Sequence, residues 1–148
     1  MGKTLHMMIG SIGTGKSAHS DKLSKELQIE ILSADSIEKD STSIDDNEIE
    51  IDIMEDYLDR LDSGESFILD GLNINKAKRN LNLTLAKQRG YIIKGYNFGP
   101  GDDNSLKQRL RDPRGVSAPR WTAIAESNKK SYEKPELNEG FEEIVEMI

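Results

Sequence analysis

The chain has 148 residues, 35% of them hydrophobic and 32% charged, with no cysteine and a formal net charge of −7. This length suits about one ordinary domain with a single sizeable core, and the lack of cysteine excludes a disulfide scaffold or a thiolate metal site while tolerating a reducing compartment. The apolar run Leu5–Ile9 is too short for a signal peptide, and no run approaches the ~18 apolar residues of a membrane span, so the expectation is a soluble, cytoplasmic protein with no membrane partner.

Residues 3–9 read as a short buried strand that stops at Gly10. The stretch from Gly10 to Ser17, GSIGTGKS, fits the pattern G-x-x-x-x-G-K-[ST] completely, between a strand and a helix as that pattern requires. The glycines let the loop of Gly10, Ser11, Ile12, Gly13, Thr14 and Gly15 bend so that successive N–H groups converge on a β-phosphate at the positive end of the following helix. Lys16 supplies a point charge between β- and γ-phosphates, and Ser17 a hydroxyl for Mg²⁺. A tight strand–helix turn that merely contains lysine is the simpler alternative, and the complete match in this context argues against it. The motif indicates nucleoside triphosphate binding and is silent about the acceptor.

A helix is expected over residues 16–27, with Leu23 and Leu27 four apart, and a second strand over 29–32, closed by Ser33–Ser36. Asp35, at that strand end, has two readings: a base for an acceptor hydroxyl, worth about 10²–10⁴-fold, or a helix cap. Ile49, Ile53, Met54, Tyr57, Leu58 and Leu61 recur at helical spacing over about 45–62, ended by Gly64; the acidic residues of this run are most simply its solvated side. A third strand, Phe67–Leu69, runs into Asp70 in the hhhD form of a Walker B strand. Asp70 reads as a metal-site carboxylate beside Ser17, or else as an N-cap.

A helix over about 75–89, stopped by Gly90, leads to a fourth strand over 91–98 and the loop Gly99–Asp103. Helices follow at 104–111 and 119–132, with Asp112-Pro113-Arg114-Gly115 between them, and a last strand at 141–147. Strands alternating with helices imply a parallel sheet covered on both faces, with ligands beyond the strands' carboxyl ends. Three such ends, Gly10–Ser17, Ser33–Asp35 and Asp70–Gly71, carry suitable polar residues. Trp121 could stack on a base or, more simply, pack in the core or beneath neighbouring elements. His6 and His19 stand alone, without metal-ligand spacing.

The negative total conceals an electrical division. Residues 26–70 hold 16 Asp and Glu against Lys39 and Arg60, whereas residues 71–120 hold 11 Lys and Arg against Asp102, Asp103 and Asp112. A basic half can meet phosphate while the acidic half discourages loose coating of nucleic acid. In the basic half, Arg109, Arg111 and Arg114 sit on an element suited to close over a triphosphate, an effect P-loop enzymes value at roughly 10³–10⁵-fold.

Taken in order, GSIGTGKS, LSADSIEKD, FILDGLNINKAKRN, LKQRLRDPRG and YEKPELNEGFEEIVEMI resemble the P-loop polynucleotide 5′-kinases, the phage and DNA-repair enzymes that phosphorylate 5′-hydroxyl ends. The resemblance runs nearly end to end. It implies a kinase-type P-loop NTPase, a three-layer α/β/α fold with a central, mostly parallel sheet. A single kinase domain would span residues 1–148, with a helical lid at about 104–118. It implies ATP and Mg²⁺ as cofactors, held by the phosphate loop, with Ser17 and Asp70 at the metal. Asp35 would activate the 5′-hydroxyl of a DNA or RNA end; Arg109 and Arg114, with Arg111 as the alternative, would serve the γ-phosphate. Asp70, Asn73 and Arg79 would lie near the acceptor, and the Pro135–Gly140 turn under the nucleotide base. Phosphatase or ligase activities would belong to separate chains.

The sequence departs from the family at Glu38, where phage members carry an arginine three residues after the base, and in its Asp-x-x-Asn and lid spacings. Two rivals remain in view. One is a P-loop kinase of a nucleoside, nucleotide or sugar, favoured by the overall acidity and Glu38; the other is a nucleotide-dependent switch acting on a protein.

Overall fold

A computed structural model describes residues 2–34 and 46–148, the side chains of 46–50 excepted. Five strands alternate with helices: β1 (Lys3–Gly10), α1 (Lys16–Leu27), β2 (Glu30–Ser33), α2 (Asp46–Ser63), β3 (Phe67–Asp70), α3 (Lys76–Gln88), β4 (Tyr91–Gly99), α4 (Asp103–Arg111), α5 (Ala118–Ser131) and β5 (Glu143–Glu146), with a 3₁₀ turn at Leu137–Glu139 before β5. The strands form one sheet in the order β2-β3-β1-β4-β5, and all four pairings are parallel. The expected alternation and its parallel sheet are therefore present, with element ends shifted by a residue or two. The last strand shortens most, because Phe141 leaves the ladder to enter the core.

β1 is central and buried on both sides, which is why it reads as an unbroken apolar run rather than an alternating one. Leu5, Met7 and Ile9 share a cluster with Tyr57 and Leu61 of α2, Leu83 and Ala86 of α3, and Phe67 and Leu69 of β3. Met8 points the other way, with Ile68, Tyr96 and Phe98, against Leu23 of α1. Each such aliphatic side chain contributes about 1.5–3 kcal/mol on burial. His6 is the polar exception within Leu5–Ile9. It is buried, and its Nδ1 lies 2.8 Å from the Tyr96 hydroxyl.

Short-range chemistry sets the helix starts. Asn75 caps α3 by accepting from the Lys78 amide at 2.8 Å. Asp102 and Ser105 form a reciprocal capping box at the start of α4. Ser117 caps α5, with Pro119 in its first turn. Among the described residues no helix is long and apolar enough to cross a membrane.

Candidate active site

The carboxyl ends of β1 and β3 are neighbours in the sheet, with Met7 opposite Leu69, so the phosphate loop and the residue ending β3 must meet. They do: the Ser17 hydroxyl donates to Asp70 Oδ2 at 2.9 Å. Of the two sequence readings of Asp70, the one beside Ser17 describes its place; the α3 cap is Asn75. β2 completes the row, with Ser33 opposite Asp70 and the Ala34 amide donating to the Asp70 carbonyl at 2.7 Å. Asp35 and Glu38 lie outside the described residues.

The loop itself is braced from several sides. Gly10 has φ +148° and donates its N–H to the Leu72 carbonyl at 2.9 Å, tying the β1 end to the β3 end. The Ser11 carbonyl accepts from Thr14 Oγ1 at 2.8 Å and from Lys16 Nζ at 2.5 Å, which folds the lysine along the loop. The buried Ser11 hydroxyl accepts from Asn128 Nδ2 of α5 at 3.1 Å. Gly13 has φ +68°, and a Cβ there would stand 1.9 Å from the Ser105 carbonyl oxygen. Only glycine lets α4 lie this close.

That close approach makes a cavity of about 410 Å³ between Gly13–Ala18 on one side and Gln108, Arg109, Asp112 and Arg114 on the other. Of the three arginines, Arg109 and Arg114 line it, while Arg111 turns to Gln108 at 3.4 Å. Arg114 holds φ +52° in the turn after α4 and pairs with Asp112 at 3.8 Å. A second cavity of about 360 Å³ adjoins Gly13 and Thr14, lined by Phe98, Pro100, Met147 and Ile148 and by the polar Asp102, Asn104, Ser105 and Gln108. Trp121 is the packing tryptophan, 1% exposed, and donates its indole N–H to the Pro113 carbonyl at 2.8 Å.

Two other expected site residues are placed differently from a surface that meets an acceptor. Arg79 is fully buried, forked onto both Glu139 carboxylate oxygens at 2.8 and 3.1 Å, with further bonds to the Asn73 and Glu133 carbonyls. Its donors are spent inside the fold, because a buried guanidinium must be neutralised and fully hydrogen-bonded. Asn73, at φ +43°, donates its side-chain amide back to the Met8 carbonyl at 2.8 Å. Both therefore shape the Asp70–Asn75 loop from behind. The Pro135–Gly140 turn is part of the same brace, with Gly140 against Lys87 of α3; neither cavity beside the phosphate loop is lined by Pro135 or Gly140.

The site also shows residues the sequence reading missed. Asn128 belongs to no motif, Gln108 lies in the lid segment with no role of its own, Met147 falls at the end of the expected last strand, and Ile148 lies beyond it. Among the described residues no three His, Asp or Glu side chains converge as a metal cage. The Ser17–Asp70 pair instead offers two hard oxygen donors, which suits a cation that shares its shell with phosphate and water. His19 lies between the Tyr96 and Phe98 rings, and burial lowers its pKa. For His6, burial first and the nearby Lys94 charge second bring it down to about 4. Both imidazoles are held toward the neutral form by their packing.

A wholly parallel sheet with a glycine-rich phosphate loop after its central strand defines a P-loop NTPase-like fold of the kinase kind. A profile of the AAA domain family matches residues 5–114, and the chain belongs to that family. Chaetomium thermophilum Kti12, solved in complex with ADP-AlF3, superposes with a TM-score of 0.70 at 17% identity, over 97% of this chain and 88% of that one. A fungal RNA kinase gives 0.68 at 14% identity, over 100% and 77%. The Mycobacterium tuberculosis APS kinase CysC, in complex with AMPPNP and APS, gives 0.61 at 17% identity, over 99% and 88%. At these identities the likeness is one of fold. No protein of curated function matches the chain in sequence.

Proposed function

We propose that this chain is an ATP-dependent kinase, a single domain over residues 1–148, that transfers the γ-phosphoryl group to the 5′-hydroxyl end of DNA or RNA. The observation that carries the reading is the cavity between the phosphate loop and two arginines, with the Ser17–Asp70 pair at the loop's end. ATP would lay its phosphates along Gly10–Ser17, with Lys16 and Arg109 compensating charge at the γ-phosphate, and its base in the second cavity, beside Thr14. Ser17 and Asp70 would hold Mg²⁺, which would compensate phosphate charge during transfer. The acceptor oxygen attacks the γ-phosphorus as the bond to the β–γ bridging oxygen breaks. Asp35 takes the hydroxyl proton and ADP leaves. The basic charge of residues 71–120 supports a phosphate-bearing acceptor, as does the sequence resemblance to 5′-end kinases.

A second reading keeps the chemistry and replaces the acceptor with a nucleoside, nucleotide or sugar; the net charge of −7 and Glu38 favour it. The deciding experiment offers γ-labelled ATP to 5′-hydroxyl oligodeoxynucleotide, oligoribonucleotide, mononucleotides, nucleosides and sugars in parallel. Label in the oligonucleotides supports the first reading, and label confined to the small acceptors overturns it. Asp35→Ala is expected to slow transfer by about 10²–10⁴-fold with ATP affinity unchanged. Wild-type turnover in that variant would remove Asp35 as the base.

A further inference from the structure

Trp121 is the chain's sole tryptophan, and it sits where three segments meet. Its apolar neighbours are Ile12 of the phosphate loop, Leu72 after β3, and Leu106 and Val116 on either side of the arginine-bearing turn. Two directed contacts join the ring to that turn. Its N–H donates to the Pro113 carbonyl, and the Arg109 guanidinium lies over its face, 5.2 Å from the ring centroid. Arg109 Nη1 also reaches the Asp112 carbonyl at 3.5 Å. The guanidinium is thus held between an aromatic face and a carbonyl on the wall of the phosphate-loop cavity. An arginine left mobile would lose much of its rotamer freedom on meeting phosphate. A guanidinium already stacked has lost it beforehand.

We propose that Trp121 is a positioning residue that holds Arg109 toward the γ-phosphate side of the loop and anchors the turn carrying Arg114, so that this arm distinguishes a nucleoside triphosphate from a diphosphate. The inference rests on reading Gly10–Ser17 as the nucleotide site served by these arginines, and it is tested in binding rather than in transfer.

ADP and ATPγS are titrated with Mg²⁺ into the wild type, Trp121→Leu and Trp121→Phe. The wild type binds ATPγS more tightly than ADP. Trp121→Leu, which lacks the ring face and the N–H, loses about 3- to 30-fold in ATPγS affinity and keeps its ADP affinity. Trp121→Phe keeps a weaker ring face and loses less. In the wild type, Trp121 emission changes with ATPγS more than with ADP. An equal loss for both ligands in Trp121→Leu, or full retention of the ATPγS preference, overturns the proposal while leaving the nucleotide site standing. If Trp121→Leu does not fold, retained preference in Trp121→Phe together with identical emission changes for both ligands overturns it. A wild type that binds neither ligand overturns the nucleotide site and this inference with it.

Discussion

Ser17 and Asp70 are 53 positions apart and share one hydrogen bond of 2.9 Å, so their roles can be separated by chemistry rather than by distance. Ser17→Ala and Asp70→Asn are each expected to reduce phosphoryl transfer by roughly 10²-fold or more. The double variant should be scarcely worse than either single, since both would act on one cation. Losses that multiply instead would show that the two oxygens act independently. His6 supplies a second prediction at this scale. Its pKa is about 4 in the fold against about 6.5 in an unfolded chain, so the unfolded state binds the extra proton between those values. Stability from this group is therefore complete above pH 6.5 and falls as pH drops toward 4, by up to about 3 kcal/mol. His6→Gln should flatten that part of the stability–pH curve in chemical denaturation, and a curve of unchanged slope would rule out His6 as its source.

At the scale of elements, the contact between α4 and the phosphate loop depends on an absent side chain. A methyl group at Gly13 would meet the Ser105 carbonyl at 1.9 Å and force a left-handed backbone that costs an L residue about 1–2 kcal/mol. Gly13→Ala should therefore push α4 away from the loop and weaken ATPγS binding about tenfold or more, with the circular dichroism of the sheet and helices intact. Unaltered affinity would mean that α4 does not form the cavity's working wall.

The same scale shows what the sequence could and could not reveal. Strand and helix order was legible because β1 and β3 are apolar runs bounded by Gly10 and Asp70, and because Gly64 and Gly90 punctuate the helices. The phosphate loop and Asp70 were legible because their pattern is local. Arg79 was not. Its partner Glu139 lies 60 positions away, and nothing in a basic helix says which of its cations turns inward. Asn128, 117 positions from the Ser11 it braces, was equally silent. Trp121 could be assigned to packing, but only the folded chain sets its face under Arg109.

Across the whole molecule, the acidic stretch 26–70 and the basic stretch 71–120 are a prediction about salt. A polynucleotide end bound through several phosphates releases counterions, so the logarithm of its affinity should fall linearly with log salt, by about 0.7 per neutralised phosphate on a single strand. A nucleoside or sugar acceptor would show almost no slope. Measuring the acceptor KM from low to moderate salt at saturating ATP separates the two readings without any mutation. A flat dependence for an oligonucleotide acceptor would mean that the basic stretch is only a solvated surface.

The strand order β2-β3-β1-β4-β5 also has a consequence in time. The first strand made is the middle one of the finished sheet, and its two neighbours, β3 and β4, are not complete until Gly99. On a growing chain, Leu5–Ile9 is thus an apolar segment with both edges unpaired until β3 ends at Asp70, and one edge still open until β4 ends at Gly99, the kind of species that invites aggregation. The phosphate loop, tied to Leu72 and Gly99 through the amides of Gly10 and Ser11, takes its shape only after both neighbours arrive. Nucleotide cannot rescue an early folding intermediate of this chain; it can only reward one that is nearly finished.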